Sequence, residues 1–246
     1  MSRKQRIEQQ PAYVLHTLPW RETSLIIETF SRDYGRVALV AKGARRPGSQ
    51  LRAVLMPFQP VLLDWSGAGE LKLLMRAERD GWQPMLAGQS LMCGFYLNEL
   101  LLALTAREDA HSDLFAHYVT ALAGLTQDNA LAITLRSFEL RLLASLGYGL
   151  SLAHEANGSR PIRPDQRYLF VRDQGFVAVN DRKKEGDADG EPYMIEGRVL
   201  LDLAQGQLHS PEALAQSKRL LRRMINDRLE GRLLQSRRIL EELQQL

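Results

Sequence analysis

The chain has 246 residues, 45% of them apolar and 25% charged, with a formal net charge of +3. That composition suffices for one large domain or two ordinary ones and excludes global disorder, and no apolar run approaches the roughly 18–20 residues a membrane span needs. A single cysteine, Cys93, excludes an internal disulfide or a Cys-rich zinc site, and no apolar stretch follows the basic start, so a cytoplasmic protein without a secretory signal is expected.

The first 80 residues read as β-structure. Strands are predicted over 13–18, ending at Pro19, then over 24–30, 36–41, 58–65 and 70–78. Asp33-Tyr-Gly35, the segment 43–50 and Ser66-Gly-Ala-Gly69 supply the turns between them. Five short strands at this spacing predict a small closed barrel, which also removes unpaired strand edges.

The composition changes near Gly81–Pro84. Apolar residues at helical spacing predict helices over 89–106, 113–125 and 130–146, with Asp113 and Asp128 as helix starts and Gly147–Gly149 as the last stop. A polar loop leads to a β-hairpin over 167–172 and 175–179. Residues 180–192 read as a charged, mobile segment, and further helices are predicted over 196–205, 211–226 and 232–245. The expected class is therefore α+β with several domains: a barrel over 1–82, then a mainly helical domain over 83–246 with a small β-hairpin insertion near 160–195. Charge follows the same division. Residues 1–82 carry 13 Lys/Arg against 8 Asp/Glu, and residues 83–157 carry 3 against 7, which suggests different partners for the two parts.

Catalytic motifs are missing. Gly43-Ala-Arg-Arg-Pro-Gly-Ser49 has the glycines of a phosphate loop but not its Gly-Lys-Ser/Thr ending, and neither His-Glu-x-x-His nor Gly-x-Ser-x-Gly occurs. His154-Glu155 reads as a solvated loop pair, and Asp187-Ala-Asp189-Gly190 lacks the rest of a calcium loop. Cys93 beside Met92 and Phe95 reads as a buried inert thiol. The chain is expected to bind rather than to catalyse.

Binding chemistry concentrates in three places. Arg36, Lys42, Arg45, Arg46 and Arg52 lie on or beside one loop, with no carboxylate between Asp33 and Asp64. Such cations hold phosphate oxygens, and Trp20, Tyr34 and Trp65 could stack bases; the alternative is a solvated basic loop over core aromatics. The segment Lys218–Arg238 holds 8 basic and 2 acidic residues. Arg219, Arg222, Arg223 and Arg228 can share one helix flank there, beside a buried stripe of Leu220, Leu221, Met224 and Ile225, as a second DNA contact or as a merely solvated face. Arg136 and Arg141, with Phe138, either pair with Glu139 or Glu99 or flank a groove for an acidic peptide with an aromatic end.

The order of certain segments is specific in combination. Ala12-Tyr-Val-Leu-His16 leads to Pro19-Trp-Arg-Glu-Thr-Ser-Leu25, then Gly35-Arg-Val-Ala-Leu-Val-Ala-Lys-Gly-Ala-Arg45, Leu97-Asn-Glu-Leu-Leu101, Phe138-Glu-Leu-Arg-Leu-Leu143, Leu146-Gly-Tyr-Gly149 and Leu234-Gln-Ser-Arg-Arg238. From about residue 11 to 240 the chain resembles the bacterial RecO family of recombination mediators. The resemblance implies an N-terminal oligonucleotide-binding (OB) barrel and a helical C-terminal domain. It implies binding of single- and double-stranded DNA, annealing of complementary strands, and association with the nucleoid. It further implies binding of the acidic C-terminal tail of single-strand-binding protein (SSB) and, with RecR, help in loading RecA onto SSB-coated strands. No cofactor and no turnover of a small molecule are expected. Lys42, Arg45 and Arg46 match the family's basic barrel loop, and Arg136, Phe138 and Arg141 are assigned to the SSB tail. Many relatives carry a four-cysteine zinc site where this chain has Leu150–Gly158 without cysteine, so no metal is expected and packing must hold the hairpin. An adaptor that binds protein alone, and an undetected nuclease, are the alternatives.

Overall fold

The computed structural model describes residues 6–127, 131–156, 158, 160–179 and 193–243. By packing, the chain falls into two compact units, Met1–Asn129 with Leu233–Leu246, and Ala130–Arg232. The helix start at Asp128 and the segment 180–192, with Asp187 and Asp189, lie outside the described residues.

The first unit is built on a closed barrel of β1 (Arg6–Trp20), β2 (Ser24–Ser31), β3 (Gly35–Ala41), β4 (Pro60–Ser66) and β5 (Leu71–Arg79), in the order β1-β2-β3-β5-β4. This is the OB-like arrangement. β1 is far longer than the predicted 13–18, and Pro19 does not end it. Its first half pairs with β4 and its second half with β2, up to Trp20 opposite Ser24. Two bulges, at Ile7/Gln10 and Val14/His16, bend it enough to serve both partners. Pro19 falls next to the strand's last residue, where a missing ladder donor costs little. Alternation sends Val14, Ile27, Val37, Leu39, Val61, Leu63 and Trp65 into the barrel, all at most 1% exposed. A four-residue helix, α1 (Leu51–Val54), lies inside the segment read as loop.

Two helices cover the barrel. α2 (Gly88–Leu104) and α3 (Ser112–Gly124) begin close to the predicted positions, although Asp113 sits in the first turn of α3 and not at its cap. Cys93 is buried in α2, as expected. Tyr13 and Phe30, on the outer face of the barrel, meet Phe115 and Tyr118 of α3 at ring distances of 5.3–6.1 Å. Each such pair adds about 0.5–1.5 kcal/mol beyond its buried area. Asn98 of α2 donates to the Leu15 carbonyl at 2.9 Å and accepts from the Tyr118 hydroxyl at 2.6 Å, so a buried polar chain joins strand, helix and helix.

The seam of the barrel is short. β3 and β5 pair, in parallel, only over Ala38–Val40 and Leu71–Leu73. The chain after α2 extends the seam as a strap: the Glu108 amide donates to the Arg36 carbonyl at 2.9 Å, Arg107 pairs with Glu28, and Glu108 pairs with Lys72. Gly35 lies under it with φ +61°, where a Cβ would sit 1.8 Å from the Asp109 carbonyl oxygen. The last helix, α7 (Gln235–Leu243), also belongs to this unit. The Glu99 carboxylate accepts from the amides of Gln235 and Ser236 at 2.7 and 2.9 Å, which caps α7 from α2.

The second unit holds α4 (Leu131–Leu143), a wide helical turn (Ala144–Tyr148) left through Gly147 at φ +84°, and a three-stranded sheet in the order β7-β6-β8. Its strands are β6 (Arg167–Val171), β7 (Gly175–Ala178) and β8 (Met194–Glu196). β6 and β7 are the predicted hairpin. β8 has three residues, too few for an alternation to register in sequence. Tyr168, Phe176 and Ile195 pack the sheet from within. The Leu150–Gly158 stretch is tied to it by the Ala156 amide, which donates to the Phe176 carbonyl at 2.8 Å. α5 (Gly197–Gln205) and α6 (Pro211–Leu229) follow. α6 starts as its sequence dictates, with Ser210 Oγ accepting from the Ala213 amide at 3.0 Å and Pro211 at the first helical position.

Candidate nucleic-acid interface

The basic loop leaves β3 at Lys42 and turns at Gly43. Two short contacts shape it: the Arg46 amide donates to the Gly43 carbonyl and the Ser49 amide to the Arg46 carbonyl, both at 3.1 Å. The loop is pinned at three points. Ala44 is fully buried in the barrel, and Leu55, after α1, is 4% exposed. Burying a leucine contributes about 1.5–3 kcal/mol. The third pin is Arg45, whose amide donates to the Thr23 carbonyl at 2.9 Å and whose Nη1 donates to the Arg21 carbonyl at 3.3 Å. From β5, Arg79 donates to the Ala53 carbonyl at 2.9 Å and holds α1. Cations thus sit on a fixed frame, and Lys42, Arg45, Arg46 and Arg52 are all exposed.

Among the described residues these four lack a counter-charge, as do the exposed Arg21 and Arg79 of the same unit, but only these four gather on one loop. Elsewhere in the barrel unit Arg6 pairs with Glu8, Arg32 with Asp33, Lys72 with Glu108, Arg76 with Glu78 and Arg107 with Glu28. The hydrogen bond from Arg32 holds the Asp33 carboxyl below its ordinary range. Among the described residues none of Lys42, Arg45, Arg46 and Arg52 pairs with a carboxylate. Between this loop and the ends of β1 and β2 opens a cavity of about 440 Å³, lined by Thr17, Leu25, Ala44, Arg45, Arg52 and Leu55.

Arg36 does not join them. Its side chain is half-buried and donates to the Leu102 carbonyl of α2. Burial lowers its pKa from the ordinary value, against the pull of Glu28. The alternation of β3 carries the signal: Val37, Leu39 and Ala41 face the barrel interior, so Arg36 faces the helices. The aromatic candidates separate as well. Trp65 is 1% exposed and Tyr34 packs its edge on it at 5.5 Å, so both are structural, while Trp20 is 40% exposed beneath the Arg21 guanidinium.

In the second unit, Leu220, Leu221, Met224 and Ile225 form the buried stripe of α6 as predicted. Arg219 and Arg222 are exposed and Arg223 is half-buried. Arg228 leaves the flank, stacking 3.6 Å from the Tyr148 ring centre and donating to Asp173 at 2.8 Å. The Tyr193 hydroxyl donates to the Gln216 carbonyl of α6, and burial pushes its pKa up to about 12.

The three residues assigned to a peptide groove do not line one. Arg136 donates to Glu139 at 2.7 Å, with side chains 8% and 2% exposed, and Phe138 is 2% exposed in the core. Only Arg141 faces solvent. One helical turn explains it: residues 136 and 139 are neighbours on one face, and that face is the buried one. Glu99, the other partner considered, caps α7 instead.

Among the described residues no group of three or more His, Cys, Asp or Glu side chains is placed to hold a metal ion. No described helix is long and apolar enough to cross a membrane.

Comparison with known proteins gives a consistent result. A family model described as recombination protein O N terminal matches residues 3–79, and one described as recombination protein O C terminal matches residues 85–238. A protein named DNA repair protein RecO from Aromatoleum aromaticum is 57% identical over 246 residues, covering 100% of both chains. Proteins of the same name from Azoarcus sp. and Dechloromonas aromatica are 54% and 45% identical, again over 100% of both chains.

Proposed function

The chain belongs to the RecO family of DNA repair proteins, and on that premise we propose that it binds DNA through the basic barrel loop, anneals complementary strands and, with RecR, helps load RecA onto SSB-coated single strands. The observation that carries this reading is the set of Lys42, Arg45, Arg46 and Arg52, exposed, held by a pinned loop and without carboxylate partners among the described residues. Such a set neutralises phosphates and so reduces the repulsion between two backbones that must meet. The exposed flank of α6, with Arg219, Arg222 and Arg223, is the second DNA contact in this reading. Arg36 is left out of it, because its guanidinium serves α2. The acidic SSB tail recruits the protein to coated strands and raises its local concentration without sequence specificity. Of the residues considered for the tail, the reading retains Arg141, the exposed one. The functional boundary falls at 82/83, between the two family matches at 3–79 and 85–238. The protein works in the cytoplasm, on the nucleoid, and no step of this mechanism requires catalytic turnover.

The test is annealing of complementary oligonucleotides coated with SSB, full-length or lacking its acidic tail. Acceleration that depends on the tail supports both contacts. Annealing of bare strands alone overturns the tail contact. If neither anneals, and charge reversal at Lys42, Arg45 and Arg46 leaves DNA affinity unchanged while the tail peptide still binds, the protein is an adaptor.

A further inference from the structure

The outer face of the barrel is closed row by row. Residues opposite one another on neighbouring strands share a face, so the register fixes each row. Tyr13, Phe30 and Arg36 form the first row, which meets α2 and α3. His16, Glu28 and Ala38 form the second, where Glu28 pairs with Arg107 of the strap and Ala38 is buried. The third row takes Leu18, Ile26, Val40 and Leu73, one each from β1, β2, β3 and β5. It stays open to solvent. Leu18 is 49% exposed, and Ile26, Val40 and Leu73 are half-buried. Trp20 and Leu71, two residues away on β1 and β5, are 40% and 41% exposed.

A contiguous aliphatic row on the solvent side of a sheet marks an interaction surface. OB barrels commonly meet oligonucleotides on this part of the sheet. Bases, however, stack on aromatic rings, and the row itself holds none. Its spacing suits a helix. Neighbouring strands lie about 4.8 Å apart, so the four side chains span roughly 14 Å, close to three helical turns of about 5.4 Å each. Charge distinguishes the two flanks. Lys42 follows Val40 on the same face and Arg21 follows Trp20; both are exposed, and among the described residues neither pairs with a carboxylate. Glu22 stands beside them, but Arg45, tied to the Arg21 and Thr23 carbonyls, brings the basic loop against the same turn. On the strap flank Arg107 is neutralised by Glu28, with Glu70 at 3.8 Å. One flank is therefore positive and the other is not.

We propose that this row docks an amphipathic helix of a protein partner, its apolar stripe along Leu18, Ile26, Val40 and Leu73 and its carboxylates beside Lys42 and Arg21. The apolar stripe supplies affinity, and the one-sided charge sets which way round the helix lies.

The experiment titrates the full chain with fluorescein-labelled peptides of roughly five helical turns, locked as helices by side-chain lactams. The first has leucines three and four residues apart and glutamates along one flank. The second has lysine at each glutamate, and the third keeps the glutamates but has serine at each leucine. Anisotropy at low salt is expected to favour the first over each of the others by roughly tenfold, with the lead over the lysine peptide narrowing as salt rises. Leu18→Gln, at an exposed position, is expected to leave the melting temperature unchanged and to weaken the first peptide roughly fivefold or more. Met85→Gln, at an exposed apolar residue outside the row, is expected to change neither. Equal affinity for the first and third peptides overturns the proposal, because the loop cations alone then account for binding. Equal affinity for the first and second overturns the acidic partner. Binding that survives Leu18→Gln overturns the site. Self-association of the parent by sedimentation velocity, lost in Leu18→Gln, overturns it by making a second copy the occupant. A matching loss of oligothymidine affinity in Leu18→Gln overturns it by giving the row to DNA.

Discussion

Replacing Arg136 by methionine separates a structural from a binding role for an arginine whose chemistry suits a peptide groove. Its guanidinium bonds Glu139 at 2.7 Å, and the two side chains are 8% and 2% exposed. The substitution keeps the apolar stem and removes the charge, so the Glu139 carboxylate stays buried without its guanidinium. Removing one member of a buried pair costs about 3–5 kcal/mol, because the remaining group keeps its desolvation and loses that opposite charge. In a chain of this size roughly 2–4 °C of melting temperature goes with each kcal/mol, so the melt is expected to fall by roughly 6–20 °C. Replacing both, Arg136→Met with Glu139→Leu, removes the charge along with its partner and is expected to recover most of the loss. Urea and thermal melts followed by circular dichroism measure both, with binding of an SSB tail peptide in parallel. The reasoning fails if Arg136→Met melts within about 1 kcal/mol of the parent while peptide binding disappears. Arg136 would then be a ligand contact and not part of the core.

Replacing Lys42, Arg45 and Arg46 together by glutamine is expected to weaken single-strand binding and to flatten the slope of log K against log salt by about 2, near 0.7 for each phosphate that is no longer neutralised; an unchanged slope by anisotropy titration refutes the loop assignment. Gly35→Ala is expected to destabilise the first unit by at least about 1–2 kcal/mol from the left-handed backbone alone, with the clash at the Asp109 carbonyl added; a urea midpoint equal to that of the parent counts against the strap. Stability is also expected to fall as pH rises from about 10 towards 12. The unfolded chain releases its tyrosine protons near pH 10, while burial holds Tyr118 well above that and Tyr193 up to about 12 in the folded state. Absorbance at 295 nm should therefore step upward on alkaline unfolding, and Tyr193→Phe should shallow the decline; a tyrosinate titration complete by pH 10.5 without unfolding contradicts this.

Local signals were legible where each residue reports its own environment. Alternation located the strands of the barrel, helical spacing located α2 to α7, and the run of cations without carboxylates marked the loop. What stayed hidden depends on partners distant in sequence. β1 continues past both ends of its apparent 13–18 core because β4 and β2 each need half of it. Arg36 has the sequence context of a loop cation, but the carbonyl of Leu102, 66 residues away, claims it. Arg136 and Phe138 have the chemistry of a peptide site, but that chemistry is spent inside the unit. The composition change near 81–84 marks where strands stop, whereas packing groups α2 and α3 with the barrel.

The return of α7 to the first unit changes what it means to alter the end of this chain. Residues 233–246 follow the whole second unit in sequence yet pack with the first. Cutting the chain back into α7 removes the amides that Glu99 holds and the Arg237 side chain that donates to the Tyr96 hydroxyl at 3.0 Å. The damage therefore lands beside the barrel, more than 130 residues upstream in sequence. A trimmed or heavily tagged C-terminus is thus a perturbation of the barrel unit, and a frameshift that spares residues 1–232 still strips a helix from the unit that carries the basic loop.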